Sequence, residues 1–432
     1  MIYTTRFNIK NKVKQLIFSI FIVIANTVKM DKTSILNQYR DICSDVLNKL
    51  ATKLNKSFKS FLMETLILYT IIPGRINFLQ MGRYGKSCEQ RFRQNFSKDF
   101  DWLSFNLSLS ERILNGDRKA IAIDPSYISK SGKCTPWIGY FWSGTAGGAK
   151  KGLEILGVGL IDIDNKDCIS LQAVQTPDGQ TLESNDINLI DWYLLVLKSM
   201  EEKLHKISPY VVADSYFSKI SFASGLKEMD FHLISRFRDD AVLFYPTLEG
   251  PTGKRGRPKL YDGKIDMANL DKSRAEKIAV DNGGLYTLTA YSKSLKQMVR
   301  LVIWYSKDSK KPKLFFSTNP HMSGKDVIEY YRTRFQIEFC FRDAKSFTGL
   351  MQSQARDVSK LSFNFNASLT SVNLAKVLAK EKGIPFSMAS CKTMIHNAYL
   401  LERFICVSGI KPNRRLNDKL VKELVEFAAI AA

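Results

Sequence analysis

The stretch SGKDVIEYYRTRFQIEFCFRDAKSF, residues 323–347, carries the most information about the fold. Ser323 with Asp326 forms a capping-box-like start, so we predict a helix from this point. At 100° per residue, four polar side chains of such a helix share an arc of about 60°: Tyr331, Arg334, Glu338 and Lys345. Ile328 and Phe335 lie beside that stripe, so we expect it to face the protein, where charged groups need partners.

Two interpretations of the stripe remain open from the residues alone. The first is an ion-paired helix face, because Arg334 and Arg342 each lie four residues from Glu338. The second is a functional site, since a phenol, a guanidinium, a carboxylate and an ammonium on one face suit the binding of charged ligands. For an arbitrary helix, the ion-paired face is the favoured interpretation.

Upstream of this helix, short apolar runs predict a mixed α/β sheet. The runs are KAIAID (119–124), LEILGVGLIDI (153–163), CISLQAVQT (168–176), YVVAD (210–214) and FHLISRF (231–237). The second and third, joined by DNKD, predict a hairpin. Helical periodicity over 185–206 and 216–229 separates the later strands, which favours a meander followed by parallel crossovers.

Asp124 and Asp214 each end an apolar run, where an α/β sheet commonly places a site. Carboxylates on neighbouring strand ends could share a metal ion. The alternative is that aspartate simply ends strands by capping or turn formation. Four further aspartates meet the same criterion: Asp162, Asp164, Asp239 and Asp240.

The remaining sequence divides by periodicity. Residues 30–115 are predicted to be helical, and within them 76–96 resemble a helix-turn-helix, with Ser87 as N-cap and with Arg91 and Arg93 on the second helix. The predicted order is a non-family extension (1–29), a helical DNA-binding domain (30–115), a first core part (116–238), a β-rich insertion (239–322), a second core part (323–380) and a helical C-terminal region (381–432). The insertion contains the strand-like runs 284–292, 298–306 and 313–318.

The chain has 432 residues, enough for two or three domains at roughly 150 residues each. Its 64 Lys and Arg against 42 Asp and Glu give a net charge of +22, which favours a polyanionic partner such as nucleic acid. The seven cysteines form no C-x-x-C pair and only four histidines exist, so any metal site should use carboxylates and a hard ion. The apolar run 16–25 is too short for an ordinary membrane span, and we expect no stable membrane association.

The spacing Tyr331-x2-Arg334-x3-Glu338-x6-Lys345 resembles the Y-R-E-K signature of a large family of bacterial insertion-sequence transposases of the DDE class. The resemblance extends from about residue 31 into the mid-370s. It implies an RNase H-like sheet interrupted by a β-rich insertion. It also implies a catalytic triad of Asp124, Asp214 and Glu338.

The resemblance further implies two Mg²⁺ ions per active site, with Mn²⁺ as a substitute, held by that triad with Asp124 bridging both. Tyr331 and Arg334 would hold phosphates at the cleaved end, and Lys345 would contact the strand nearby, with Arg342 beside them. The partners implied are terminal inverted repeats and target DNA, with a homodimer on DNA. Such a protein acts in the bacterial cytoplasm at the nucleoid.

Two alternatives stay open at this point. One is a catalytically silent DNA-binding repressor derived from a transposase, and the other is a metal-dependent nuclease without strand transfer. The loop GKRGRPK (253–259) resembles an AT-hook, so Lys254, Arg255 and Arg257 are further candidates for DNA contact. A solvated loop explains them equally well.

Overall fold

A computed structural model of the chain describes residues 34–248, 261–278, 284–306, 311–409 and 419–430. These residues form two compact units. The first comprises the residues up to Phe96, Asp343–Ser353 and Thr370 onward, and the second comprises Ser97–Arg342 and Gln354–Leu369. The extension 1–29 and the basic loop 253–259 lie outside the described residues.

The first unit begins with four helices, as the N-terminal periodicity predicts: α1 Ile35–Lys49, α2 Lys56–Ile71, α3 Phe78–Tyr84 and α4 Glu89–Asn95. Ser34, Asn55 and Asn77 cap the first three, each accepting a hydrogen bond from a backbone N–H in the first turn. The apolar stripe of α1 is buried, so packing and periodicity agree.

The segment 76–96 is a helical hairpin whose cap differs from the prediction. Cys88, and not Ser87, is the N-cap of α4. The Ser87 hydroxyl instead donates to Oε2 of Glu64 at 2.5 Å, and the same carboxylate accepts from the Ser87 backbone N–H. A tertiary partner for the hydroxyl therefore overrides its local capping preference.

The second unit is built on a mixed sheet, which has twelve strands within the described residues. They are β1 Lys119–Ser129, β2 Gly139–Ser143, β3 Gly148–Asp162, β4 Asp167–Gln175, β5 Tyr210–Val212, β6 His232–Arg236, β7 Leu243–Pro246, β8 Tyr261–Lys264, β9 Glu276–Ile278, β10 Gly284–Ser292, β11 Gln297–Tyr305 and β12 Lys313–Ser317. The path through the sheet is β2-β3-β1-β5-β6-β12-β11-β10-β7-β8, with β4 on β3 and β9 on β10.

The pairing confirms the predicted core. β1, β3 and β4 form an antiparallel meander, while β1, β5 and β6 are parallel. This arrangement is consistent with an RNase H-like sheet. The prediction missed β2, which pairs with the first residues of β3. The predicted insertion is β-rich in its described part, and it continues the core sheet because β12 pairs with β6.

The helices of the second unit are shorter than periodicity predicts. They are α5 Trp102–Ile113, α6 Gly179–Ser184, α7 Leu189–Lys198, α8 Glu201–His205, α9 Ile220–Glu228 and α10 Gly324–Thr333. The predicted helix over 185–206 is thus two helices, and 216–229 begins as a 3₁₀ turn.

The helix predicted over 323–347 is also two helices, α10 and α11 Gln336–Phe347. Ser323 caps α10 as predicted, with its hydroxyl accepting from the Asp326 N–H at 3.0 Å. Between the helices, i→i+3 hydrogen bonds replace the i→i+4 pattern: Ile337 N–H donates to Arg334 O, and Glu338 N–H to Phe335 O. Of the two apolar residues beside the predicted stripe, Ile328 is buried and Phe335 is 43% exposed.

The chain ends in helices, as predicted, with α12 Val358–Glu381, α13 Met388–Ser408 and α14 Lys419–Glu426. No helix among the described residues is long and apolar enough to cross a membrane.

Candidate active site

Asp124 and Asp214 occupy equivalent levels on adjacent parallel strands. The last paired residues of β1 and β5 are Ala122 and Val212, and each aspartate follows two positions later. Residues two apart on a strand point to the same face, so Asp124 shares the face of Ala122. Asp214 follows the end of β5 and is close enough for Arg334 and Glu338 to act on its pKa. The prediction that Asp124 ends its strand is wrong, because β1 continues to Ser129 along β3.

Arg334 joins Asp124 to Glu338. One terminal guanidinium nitrogen lies 3.3 Å from Oδ1 of Asp124, and the other lies 2.6 Å from Oε1 of Glu338. The Arg334 side chain is 14% exposed, against 18% for Asp124 and 51% for Glu338. Burial lowers the pKa of Arg334, but the two carboxylates outweigh it, so its pKa lies above the ordinary value.

Asp214 lies in the same electrostatic field. Burial raises the pKa of its carboxyl, and Glu338 raises it further, while the Tyr216 N–H and Arg334 oppose this shift. That N–H donates to Oδ1 of Asp214 at 2.9 Å. The net pKa is raised, so a nearby cation would favour the ionised form of this carboxyl.

The turn after Asp214 is fixed to β6. The Ser235 hydroxyl donates to the backbone O of Asp214 at 2.7 Å, and the Ser218 hydroxyl donates to the backbone O of Arg236 at 2.7 Å. Neither serine bears on chemistry directly. Together they hold the carboxyl end of β5 against its neighbour and limit the positions open to the Asp214 carboxylate.

Two glycines of β3 allow α11 to approach the sheet at the level of Asp124. Gly157 pairs with Asp124, and a Cβ placed on it would lie 2.3 Å from Cζ of Phe341. A Cβ on Gly159 would lie 3.1 Å from both Cδ1 of Ile337 and Sγ of Cys168. Glu338 lies between Ile337 and Phe341 on α11, so these glycines set its distance from the strand.

Tyr331 and Arg236 lie near Arg334 and Asp214, since the charges of Arg334, Arg236 and Asp214 all act on the pKa of Tyr331. The Tyr331 ring packs on Phe315 with centroids 4.9 Å apart, and burial raises the pKa of its hydroxyl while Arg334 and Arg236 lower it. Nε of Arg236 is buried and has no hydrogen-bond partner, although a terminal nitrogen lies 3.5 Å from Asp239. Sequence reasoning missed Arg236; its signal is an arginine inside the apolar run FHLISRF.

Residues 184–374 match the family model described as the transposase DDE domain. The match covers 191 of the 432 residues, and this segment resembles a transposase DDE domain. A comparison with curated proteins found no match. The matched segment contains all the predicted site residues of the helix region together with the second aspartate: Asp214, Tyr331, Arg334, Glu338, Arg342 and Lys345. Asp124 precedes the matched segment.

DDE transposase domains generally use divalent metal ions. The oxygen donors of Asp124, Asp214 and Glu338 suit Mg²⁺ or Mn²⁺ chemically. Among the described residues, however, no three His, Cys, Asp or Glu side chains are grouped closely enough to hold an ion. In this structure, Arg334 supplies positive charge between two of the three carboxylates.

The other predicted contact residues are distributed over α11, the first unit and the basic loop. Lys345 is half-buried on α11, seven residues beyond Glu338, and the exposed Arg342 places its guanidinium 4.5 Å from the Phe339 ring centroid. In the first unit, Arg91 donates to Ser87 and to the backbone O of Ser57, and Arg93 pairs with Glu89. Lys254, Arg255 and Arg257 lie outside the described residues.

Proposed function

We propose that this chain is a DNA transposase that binds terminal inverted repeats and performs metal-dependent DNA cleavage and strand transfer. The observation that carries the proposal is the contact of Arg334 with both Asp124 and Glu338, in a chain whose residues 184–374 match the transposase DDE domain. Asp214 belongs to the same group, because Arg334 and Glu338 both act on its pKa.

Asp124, Asp214 and Glu338 would hold two Mg²⁺ ions, with Mn²⁺ able to substitute; because they are not grouped closely enough for this among the described residues, metal binding would have to draw them together. Bound there, such ions would activate an attacking oxygen and would stabilise the leaving oxygen of a phosphodiester. Water is the first nucleophile, which frees a 3′-hydroxyl at the element's end, and that hydroxyl then attacks target DNA. No serine, cysteine or tyrosine nucleophile is needed.

The other residues of the site bind DNA in this proposal. Arg334 and Tyr331 hold phosphates at the cleaved end, with the planar guanidinium suited to bidentate contacts, and Lys345 makes a point contact further along the strand. Arg342, Arg91 and Arg93, with the basic loop residues Lys254, Arg255 and Arg257, are additional candidates. We expect the protein to dimerise on DNA, since pairing two element ends needs two copies.

The test is cleavage of a labelled duplex that carries the element's terminal repeat, in Mg²⁺. Glu338→Ala should bind this duplex but not nick it, because one of the three metal-holding carboxylates is gone. Asp124→Ala and Asp214→Ala should behave alike. Glu202→Ala is the matched control, since Glu202 is an exposed carboxylate in an ion pair with Lys206.

The outcomes separate the candidate functions. End-specific nicking by the intact chain and by Glu202→Ala, but not by Glu338→Ala, supports the enzyme. Nicking without joining to target DNA indicates a nuclease. Binding without nicking by the intact chain indicates a repressor. Nicking that survives Glu338→Ala would mean that the active site lies elsewhere.

A further inference from the structure

A cavity of about 510 Å³ opens directly beside the turn that follows Asp214. Its walls come from three parts of the second unit: residues 215–219 after β5, residues 237–242 after β6, and the turn between β10 and β11. Its volume is in the range of ligand pockets, roughly 300–1,000 Å³. None of the residues assigned to the triad or to the helix signature lines it.

Three cations line this cavity, which we call the cation pocket: Lys219, Arg238 and Lys293. Among the described residues, Asp240 is the one acidic residue in the lining, so this part of the lining has an excess of two positive charges. Like charges held in one cavity repel each other unless an anion enters. The pKa of Lys219 is lowered, first by burial and then by the charge of Arg238, while Asp214 opposes this shift.

The walls of the cation pocket are fixed by packing. Nζ of Lys219 lies 3.8 Å from the Tyr216 ring centroid, a cation–π contact that holds the ammonium in place. Phe237 stacks on Phe316 with centroids 4.0 Å apart. The backbone N–H of Lys293 donates to the O of Val242 at 3.2 Å, which ties the β10–β11 turn to the loop after β6.

We propose that the cation pocket binds a phosphodiester group of a DNA strand that runs past Asp214. The proposal rests on the function proposed above and adds a second phosphate site to it. Lysine and arginine side chains at the ends of fixed loops are the usual ligands of DNA phosphates. Lys219 is half-buried and the charge of Asp214 acts on it, whereas Arg238 and Lys293 are exposed, so we take Lys219 as the inner end of the path.

The test measures DNA binding in the absence of metal, so that cleavage plays no part. The full chain in EDTA is titrated into a fluorescein-labelled single-stranded oligothymidylate, and fluorescence anisotropy gives the dissociation constant at several salt concentrations. Lys219→Gln/Arg238→Gln removes two charges from the pocket. Lys206→Gln/Lys227→Gln is the matched control, because it removes two charges from exposed positions outside the pocket.

Each lost contact with a single strand lowers the slope of log K against log salt by about 0.7. At about 0.05 M salt, that slope corresponds to about eightfold weaker binding per contact. We therefore expect the pocket variant to bind the oligothymidylate at least about eightfold more weakly than the intact chain. The control variant should bind it with the same dissociation constant as the intact chain. Equal losses in both variants, or no loss in the pocket variant, would refute the proposal.

Two further measurements complete the test. Lys293→Gln changes one exposed side chain, so it should fold normally and still lower the slope by about 0.7 if the pocket binds DNA. Inorganic phosphate added at constant ionic strength should not displace the oligothymidylate, and displacement would assign the pocket to a free anion instead. If the pocket variants lower the slope but the intact chain does not cleave DNA, the phosphate site is supported and the transposase proposal is refuted. If the intact chain cleaves DNA but the pocket variants leave the slope unchanged, the phosphate site is refuted and the transposase proposal stands.

Discussion

Replacing Gly157 by alanine tests how the sheet positions Glu338. The added Cβ would lie 2.3 Å from Cζ and 2.8 Å from Cε1 of Phe341. Carbon atoms pack best at about 3.5–4.0 Å, so the ring must retreat by more than about 1 Å. Overpacking of this kind typically costs about 1–3 kcal/mol in the free energy of unfolding.

The effect on cleavage should exceed the effect on stability. Phe341 lies three residues after Glu338, almost one turn along α11, so a shift of the ring moves the carboxylate with it. A misplacement of about 1 Å in an active site can lower a rate by about 100-fold. Urea denaturation gives the stability change, and nicking of the terminal-repeat duplex in Mg²⁺ gives the rate.

Two comparisons make this prediction specific. Gly148→Ala is the control on the same strand, because a Cβ there meets nothing within 4 Å. Phe341→Leu should recover part of the stability lost by Gly157→Ala, with a coupling free energy in the range of about 0.5–3 kcal/mol. The reasoning fails if Gly157→Ala unfolds and cleaves like Gly148→Ala, or if the two changes at 157 and 341 are additive.

Two other predictions follow from charges in the second unit. Arg334→Gln should lower the free energy of unfolding by up to about 3–5 kcal/mol, because it leaves the Asp124 carboxylate without its guanidinium partner. Urea titrations should show that Mg²⁺ stabilises this variant more than the intact chain, and equal stabilisation would contradict the prediction. Burial raises the pKa of Glu154 despite its hydrogen bond from Tyr193, so its contribution to stability is present in acid and is lost as pH rises through the folded-state pKa. Glu154→Gln should therefore match the intact chain in acid and be more stable at neutral pH in the same assay, and a difference independent of pH would exclude this cause.

Local patterns predicted the parts of the site that depend on local geometry. Arg334 and Glu338 are four residues apart, and they pair as the helical spacing predicts even though a tight turn joins the two helices. The hairpin of β3 and β4 follows from two apolar runs around DNKD, and Asp214 follows its strand as expected. In each case the deciding interactions lie within a few residues of each other along the chain.

The features that the sequence could not show depend on distant partners. No proline or glycine lies between α10 and α11, so nothing local indicates the turn at Arg334 and Phe335. The apolar run ends at Asp124, but the strand continues because β3 offers paired backbone groups as far as Ser129. Gly157 resembles any strand glycine until Phe341 is placed above it.

The charge balance of the site shows why DNA and metal should act together in the proposed function. With all three carboxylates ionised, Asp124, Asp214 and Glu338 against Arg334 leave a net charge of −2, which repels a phosphate. Two divalent ions would reverse this balance to about +2. They would also replace Arg334 as the partner of the carboxylates, and its guanidinium would then be available to a phosphate. In the proposed function, the two interpretations of the helix stripe would therefore both apply to Arg334, as an ion pair without metal and as a phosphate ligand with metal bound.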